Sequence, residues 1–214
     1  MTLYLLRHGE TEWNKCHRFQ GRIDVPLNDF GRELARTTRE LWPIVSFDRV
    51  YSSPLIRAYE TAQIVLEGRP EAEIIQTDER IIEFGFGSCE GCNIDEAAAD
   101  PAHPMYNLLH HPERYVPVDG ESFEQMIGRA GSFMRDEILP LEKQGVKNVL
   151  IVAHGAIIRG FVCAIGQKSV ADFWERRYLN CCLTTIGIEG GQCTLQDEAR
   201  IFYEFNDHFG GWRR

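Results

Sequence analysis

Five uninterrupted apolar residues, Val149 to Ala153, stop abruptly at His154 and Gly155. A run this short and this apolar suits a strand buried on both faces, which is the environment of a parallel sheet covered by helices. Thr2 to Leu6 reads the same way and stops at Arg7-His8-Gly9-Glu10. Residues 31–42 carry helical spacing (Leu34, Ala35, Thr38, Leu41), with Pro43 at the far end. Val50-Tyr51 reads as the end of a second strand, and Pro54 as the N1 residue of a helix running to about Leu66. Ser122-x-x-Gln125 resembles a capping box opening a long helix toward Lys143, which Pro140 should kink or shorten. A further helix should run from Gly155 to about Ala164, with short strands at 73–76, 183–188 and 200–205. The alternation predicts an α/β fold: a three-layer α/β/α sandwich with a mainly parallel central sheet, as one domain over 1–214. Glycines, prolines and histidines crowd residues 85–121, which reads as a loop-rich lid insertion with one short helix near 94–99.

The two strand ends carry the chemistry. Ligands of open α/β sheets bind outside the carboxyl ends of strands, so His8 and His154 should face one crevice. Arg7 adjoins His8, and Arg57 lies early in the helix after Ser52-Ser53-Pro54. Guanidinium forks match phosphate oxygens, so two Arg and two His converging suggest a phosphate-sized dianion. The net charge of −9 disfavours a nucleic acid or anionic membrane held by bulk charge, but a few focused Arg side chains still admit a small anion. No apolar run nears the roughly 18 residues of a membrane span. No basic segment leads into an apolar one at the start of the chain, and seven Cys make an odd count, which together suggest a reduced cytoplasmic protein.

Leu6-Arg7-His8-Gly9-Glu10-Thr11-Glu12-Trp13-Asn14 resembles the signature of the histidine phosphatase superfamily, in its phosphoglycerate-mutase-like branch. The likeness continues through Arg18-Phe19-Gln20-Gly21, Asp24-Val25-Pro26-Leu27-Asn28, Gly31, Ser52-Ser53-Pro54-Leu55-x-Arg57, Glu83 with Gly87 and Glu90-Gly91, Gly120-Glu121-Ser122 and His154-Gly155. The resemblance implies that His8 is the nucleophile, with Arg7, Arg57 and His154 holding the phosphoryl oxygens. Glu83 would protonate the leaving oxygen and later deprotonate water. Asn14, Gln20, Gly21, Gly155 and Ala156 would form the surrounding substrate contacts. Phosphoryl transfer needs mostly positioning and charge, so no metal or other cofactor is expected. The implied activity is hydrolysis of a small phosphorylated metabolite through a phosphohistidine.

Competing readings are weaker. Cys16 and Arg22 have C-x5-R spacing, but the intervening residues are too bulky for a phosphate loop. Cys89-x-x-Cys92 lacks a second pair for zinc. His103, His110 and His111 read as solvated loop residues, and Glu79 or Glu90 could compete with Glu83. Substrate choice should lie in the lid, with Tyr106, Arg114 and Tyr115 as candidates. A phosphoglycerate mutase is the alternative enzyme. Residues 84–121 hold only one basic side chain besides histidine, Arg114, and Ala156 stands where resembling mutases carry Asn, which favours hydrolysis. A non-catalytic phospholigand-binding module would be free to lose part of the Arg7, His8, Arg57, Glu83, His154 set, and all five are present. The oligomeric state is not legible.

Overall fold

A computed structural model describes residues 1–43 and 45–204. Among the described residues six strands form one sheet: β1 (Thr2–Arg7), β2 (Arg49–Ser52), β3 (Ile75–Thr77), β4 (Asn148–Ala153), β5 (Leu183–Glu189) and β6 (Gln192–Arg200). Their spatial order is β3-β2-β4-β1-β5-β6. The first four are mutually parallel, and β5 and β6 run antiparallel at one edge. The expected mainly parallel sheet is therefore present, with β4 and β1 at its centre.

Successive strand residues point to opposite faces, and this divides the core in two. Leu3, Leu5, Val149, Ile151 and Ala153 pack with α6 (Phe123–Phe133) and α8 (Gly155–Ala164). Leu6, Val50, Leu150 and Val152 pack with α2 (Asp29–Leu41) and α3 (Ile56–Val65) on the other side. Short helices α1 (Glu12–Lys15), α4 (Ile94–Ala99), α5 (Tyr106–His110) and α7 (Leu139–Lys143) complete the description.

Several local expectations shift. Helix α2 starts two residues early because the Asn28 side chain accepts the Gly31 N–H at 2.7 Å. Pro54 is not at N1: Leu55 is the N-cap, and the Asp24 carboxylate accepts the Ile56 N–H at 2.8 Å. The Ser122 capping box forms as expected. Past it, the long helix widens into a π-turn over Met134–Ile138 before α7. Pro140 can donate no helical hydrogen bond and crowds the preceding turn, and the wider turn absorbs this without breaking the rod. The strand expected at 200–205 lies earlier, at 192–200, and residue 205 is outside the described residues. Gly190 and Gly191, with φ of 58° and 78°, make the two-residue hairpin turn that sets this register. The segment 85–121 holds the anticipated α4 and also α5, which has no clear periodic signal.

Candidate active site

Strands β1 and β4 are neighbours in register, Arg7 opposite Ala153, so the residues that follow them leave the sheet side by side. His8 N–H donates to Ala153 O at 2.9 Å. The His8 and His154 rings lie 5.1 Å apart, centroid to centroid, at 61°. Both are buried. His8 Nδ1 is 2.6 Å from the Gly9 carbonyl oxygen. A carbonyl only accepts, so Nδ1 carries the proton and Nε2 keeps its lone pair. Burial, reinforced by the Arg57 and Arg7 cations, holds the His8 pKa well below its ordinary value, so the ring is neutral near pH 7.

His154 lies beneath it. Arg57 Nε–H donates to His154 Nδ1 at 3.2 Å, which leaves the proton on Nε2, 2.7 Å from Ser53 Oγ. Burial, then the charge of Arg57, keeps this ring neutral too. Arg57 is fully buried, and its other donors meet Gly21 O at 2.7 Å and Ile23 O at 3.0 Å. Burial pulls its pKa down to about 10, which still leaves it charged. Arg7 donates to Tyr178 O, and its buried Nε has no hydrogen-bond partner.

Glu83 is anchored by its own turn and by the N-terminus of α8: its side-chain oxygens accept from Phe84 N (2.8 Å), Ile157 N (3.1 Å) and Ala156 N (3.2 Å). The loop carrying it is braced by Arg129, which donates to the carbonyls of Arg80, Ile82 and Glu83 and forms a two-pronged pair with Glu121. Asn14, Gln20, Gly155 and Ala156 join Arg7, His8 and Glu83 around a cavity of about 470 Å³. Gln20 accepts from Thr11 Oγ1 at 2.7 Å, while its buried Nε2 has no partner. Gly21 is set back from the cavity, as are Arg57 and His154. A side chain on Gly21 would meet the Glu90 carboxylate and the Phe84 carbonyl, and its own carbonyl holds Arg57.

A model of the histidine phosphatase superfamily (branch 1) matches residues 3–199. The chain belongs to this superfamily. A solved structure, Bacillus stearothermophilus YhfR, superposes with a TM-score of 0.82 at 32% identity, covering 94% of this chain and 97% of that one. The adenosylcobalamin/alpha-ribazole phosphatase of Salmonella typhimurium is 31% identical over 92% of this chain and 95% of its own. The 2,3-bisphosphoglycerate-dependent phosphoglycerate mutase 2 of Gloeobacter violaceus is 33% identical over 78% of this chain and 76% of its own.

Within this histidine phosphatase fold the residues of segment 85–121 sort differently from expectation. Tyr106, Arg114 and Tyr115 do not line the cavity. Tyr115 is buried against Phe84 and Phe123, Arg114 is exposed beside Glu113, and the Tyr106 ring packs tilted against His110. Segment 85–121 instead contributes Phe86, Ile94, Leu108, Leu109, His110 and Pro112. His110 is half-buried rather than solvated, its Nε2 2.9 Å from Ala98 O. Besides Arg7, three arginines from outside segment 85–121 line the cavity: Arg18, Arg159 and Arg177. Arg18 comes from the Arg-Phe-Gln-Gly stretch. Arg159 comes from α8, bonds Gly155 O and Arg176 O and lies over Tyr178 and Trp174. Counting cations in 84–121 alone therefore understates the positive charge beside the site. Cys16 is exposed, and Arg22 is engaged by Glu121. Sequence reasoning singled out neither Arg159 nor Asn180, which reach the site from far along the chain with no local motif to flag them.

Proposed function

We propose that this chain hydrolyses small phosphomonoesters through a phosphohistidine on His8. The observation that carries this reading is the neutral His8 ring, proton fixed on Nδ1 by Gly9 O, bordering a cavity with Arg7 and Glu83 and backed by Arg57 and His154. Nε2 would attack phosphorus in line with the leaving oxygen. Arg7, Arg57 and His154 would stabilise the phosphoryl oxygens, Arg57 and His154 exchanging backbone and Ser53 partners for substrate oxygens. Asn14 and Gln20 Nε2 would donate to the same group. Glu83 would protonate the leaving oxygen and then take a proton from water as it attacks the phosphohistidine. Three fixed positive or donor groups supply the field a metal would otherwise give, so activity should not need one. The segment 85–121 would act as the wall that contacts the organic part of the substrate, within a single catalytic unit. A small phosphorylated metabolite in the cytoplasm is the expected setting.

The mutase reading keeps a specific observation in its favour: Arg18 and Arg159 could grip a second anionic group. One experiment addresses both. Quenching the protein in alkaline detergent while it turns over a phosphomonoester in EDTA should trap a base-stable, acid-labile phosphoprotein, absent in His8→Ala, whose turnover falls on the order of 10⁴-fold. Phosphate release should exceed interconversion of 2- and 3-phosphoglycerate after priming with 2,3-bisphosphoglycerate. Dominant isomerisation would hand the assignment to the mutase, and a wild-type rate in His8→Ala would end the phosphohistidine mechanism.

A further inference from the structure

The turn that carries His8 is held from behind by residues 178–182, the approach to β5. Arg7 N–H donates to Cys182 O at 3.0 Å, and Cys181 N–H reaches Arg7 O and His8 O at 3.1 and 3.2 Å. To do so Cys181 adopts φ of 55°, a left-handed conformation unusual for a residue with a Cβ. That conformation carries the Asn180 side chain under the same turn. Asn180 is buried, and its Nδ2 lies 3.1 Å from His8 O, 3.1 Å from Gly9 O and 3.2 Å from Asn14 Oδ1. Backbone carbonyls can only accept, so the amide orientation is unambiguous: the NH₂ faces the turn. On the other side, Tyr203 Oη donates to Asn180 O at 2.6 Å.

Two consequences meet at the cavity. Gly9 O has two lone pairs; one takes the Asn180 amide and the other the His8 Nδ1 proton. With its direction set by Asn180, this carbonyl keeps the imidazole proton on Nδ1 and the Nε2 lone pair available. The two neutral tautomers of an imidazole are otherwise close in energy, and the wrong one, with its proton on Nε2, cannot attack phosphorus. Asn14 Oδ1 is likewise occupied, by Thr11 N–H at 3.2 Å and by Asn180. That leaves the Asn14 NH₂ as the group turned to the cavity, where it can donate to a phosphoryl oxygen.

We infer that Asn180 is a positioning residue that selects the reactive tautomer of His8 and the donor orientation of Asn14 through one buried amide. The inference rests on His8 being the nucleophile, but its main readout does not depend on turnover. The full chain, labelled with ¹⁵N-histidine, is examined by NMR, with the His8 resonances assigned by difference against His8→Ala. Wild-type His8 should be neutral with Nδ1 protonated. In Asn180→Ala the Nε2-protonated tautomer should become populated, and the rate constant for phosphoenzyme formation should fall about 10–100-fold, the usual cost of losing an outer partner that orients a reacting histidine. KM should change severalfold at most. Asn180→Ser keeps one hydroxyl donor and should lie between the two; it also serves as the test variant if the alanine form does not fold. A folded variant with the wild-type tautomer would overturn the inference, whether its rate is unchanged or falls together with thermal stability. If wild-type protein forms no phosphohistidine, the proposed function fails on its own, while the tautomer comparison still decides the role of Asn180.

Discussion

The charge state of His8, the proposed nucleophile, follows from its immediate contacts. His8 is kept neutral by burial beside two guanidinium groups, although its Gly9 hydrogen bond alone would favour the cation. Glu83 sits where α8 presents its first N–H groups, and Ala156 N–H and Ile157 N–H donate to its side-chain oxygens. Glu83→Gln keeps the shape but removes the exchangeable proton. It should reduce turnover of an alkyl phosphate by about 10²–10⁴-fold, with a much smaller loss on p-nitrophenyl phosphate, whose leaving group needs little protonation. Steady-state rates on the two substrates check this. Equal losses would show that Glu83 serves the packing of α8 rather than the proton.

At the scale of elements, the site depends on how closely α2 crosses the loop after β1. A Cβ on Gly31 would lie 2.1 Å from Glu10 O and 2.5 Å from Glu10 N, and one on Gly9 would lie 2.4 Å from Gly31 O. Backbone therefore packs on backbone, and Asn28 O, N and side chain tie the same crossing through Arg32 N, Glu10 O and Gly31 N. Gly31→Ala should force α2 away from the His8 loop and destabilise the fold by about 1–3 kcal/mol, as overpacking commonly does. Urea unfolding measures it, and an unshifted midpoint would contradict the close approach. Activity should fall as well, because Gly9 carries the carbonyl that fixes His8. The Glu121–Arg129 pair plays the corresponding part on the other side, linking α6 to the loop that holds Glu83.

The chain as a whole is acidic, yet Arg57 is buried behind the two histidines and Arg7 lines the cavity with His8. Two neutral histidines buried beside Arg57 and Arg7 make stability depend on pH. Both folded-state pKa values lie well below 6.5, so the unfolded chain binds more protons at mildly acidic pH. Their contribution is fully present above about pH 6.5 and is lost as pH falls toward the folded values, at up to roughly 1.4 kcal/mol per pH unit for each imidazole. Unfolding followed between pH 7.5 and 5 should show this decline. His154→Gln should flatten it by about half, provided the variant folds. A flat profile would mean that the rings are already charged in the native state. Vanadate or phosphate in the site should reduce the slope, because an anion favours the protonated rings.

The amino-acid sequence by itself determined the alternation of strands and helices, the layering, and the positions of Arg7, His8, Arg57, Glu83 and His154. Those signals are local: apolar runs of strand length, helical spacing, a capping box, and chemistry-bearing residues placed at strand ends or beside turns. Tertiary structure decided everything that depends on distant segments meeting. β4 lies beside β1, so two histidines 146 positions apart in the chain face each other at 5.1 Å. The cavity walls come from Phe19, Leu108 and Trp174, not from Tyr106, Arg114 or Tyr115. Strand β6 hid because its alternation is short: Cys193 and Leu195 pack on the core between Gln192, Thr194 and Gln196, and then the charged pair Asp197-Glu198 interrupts it. Asn180 and Arg159 carry no motif, because a buried amide or guanidinium takes its meaning from the acceptors and rings the fold brings to it.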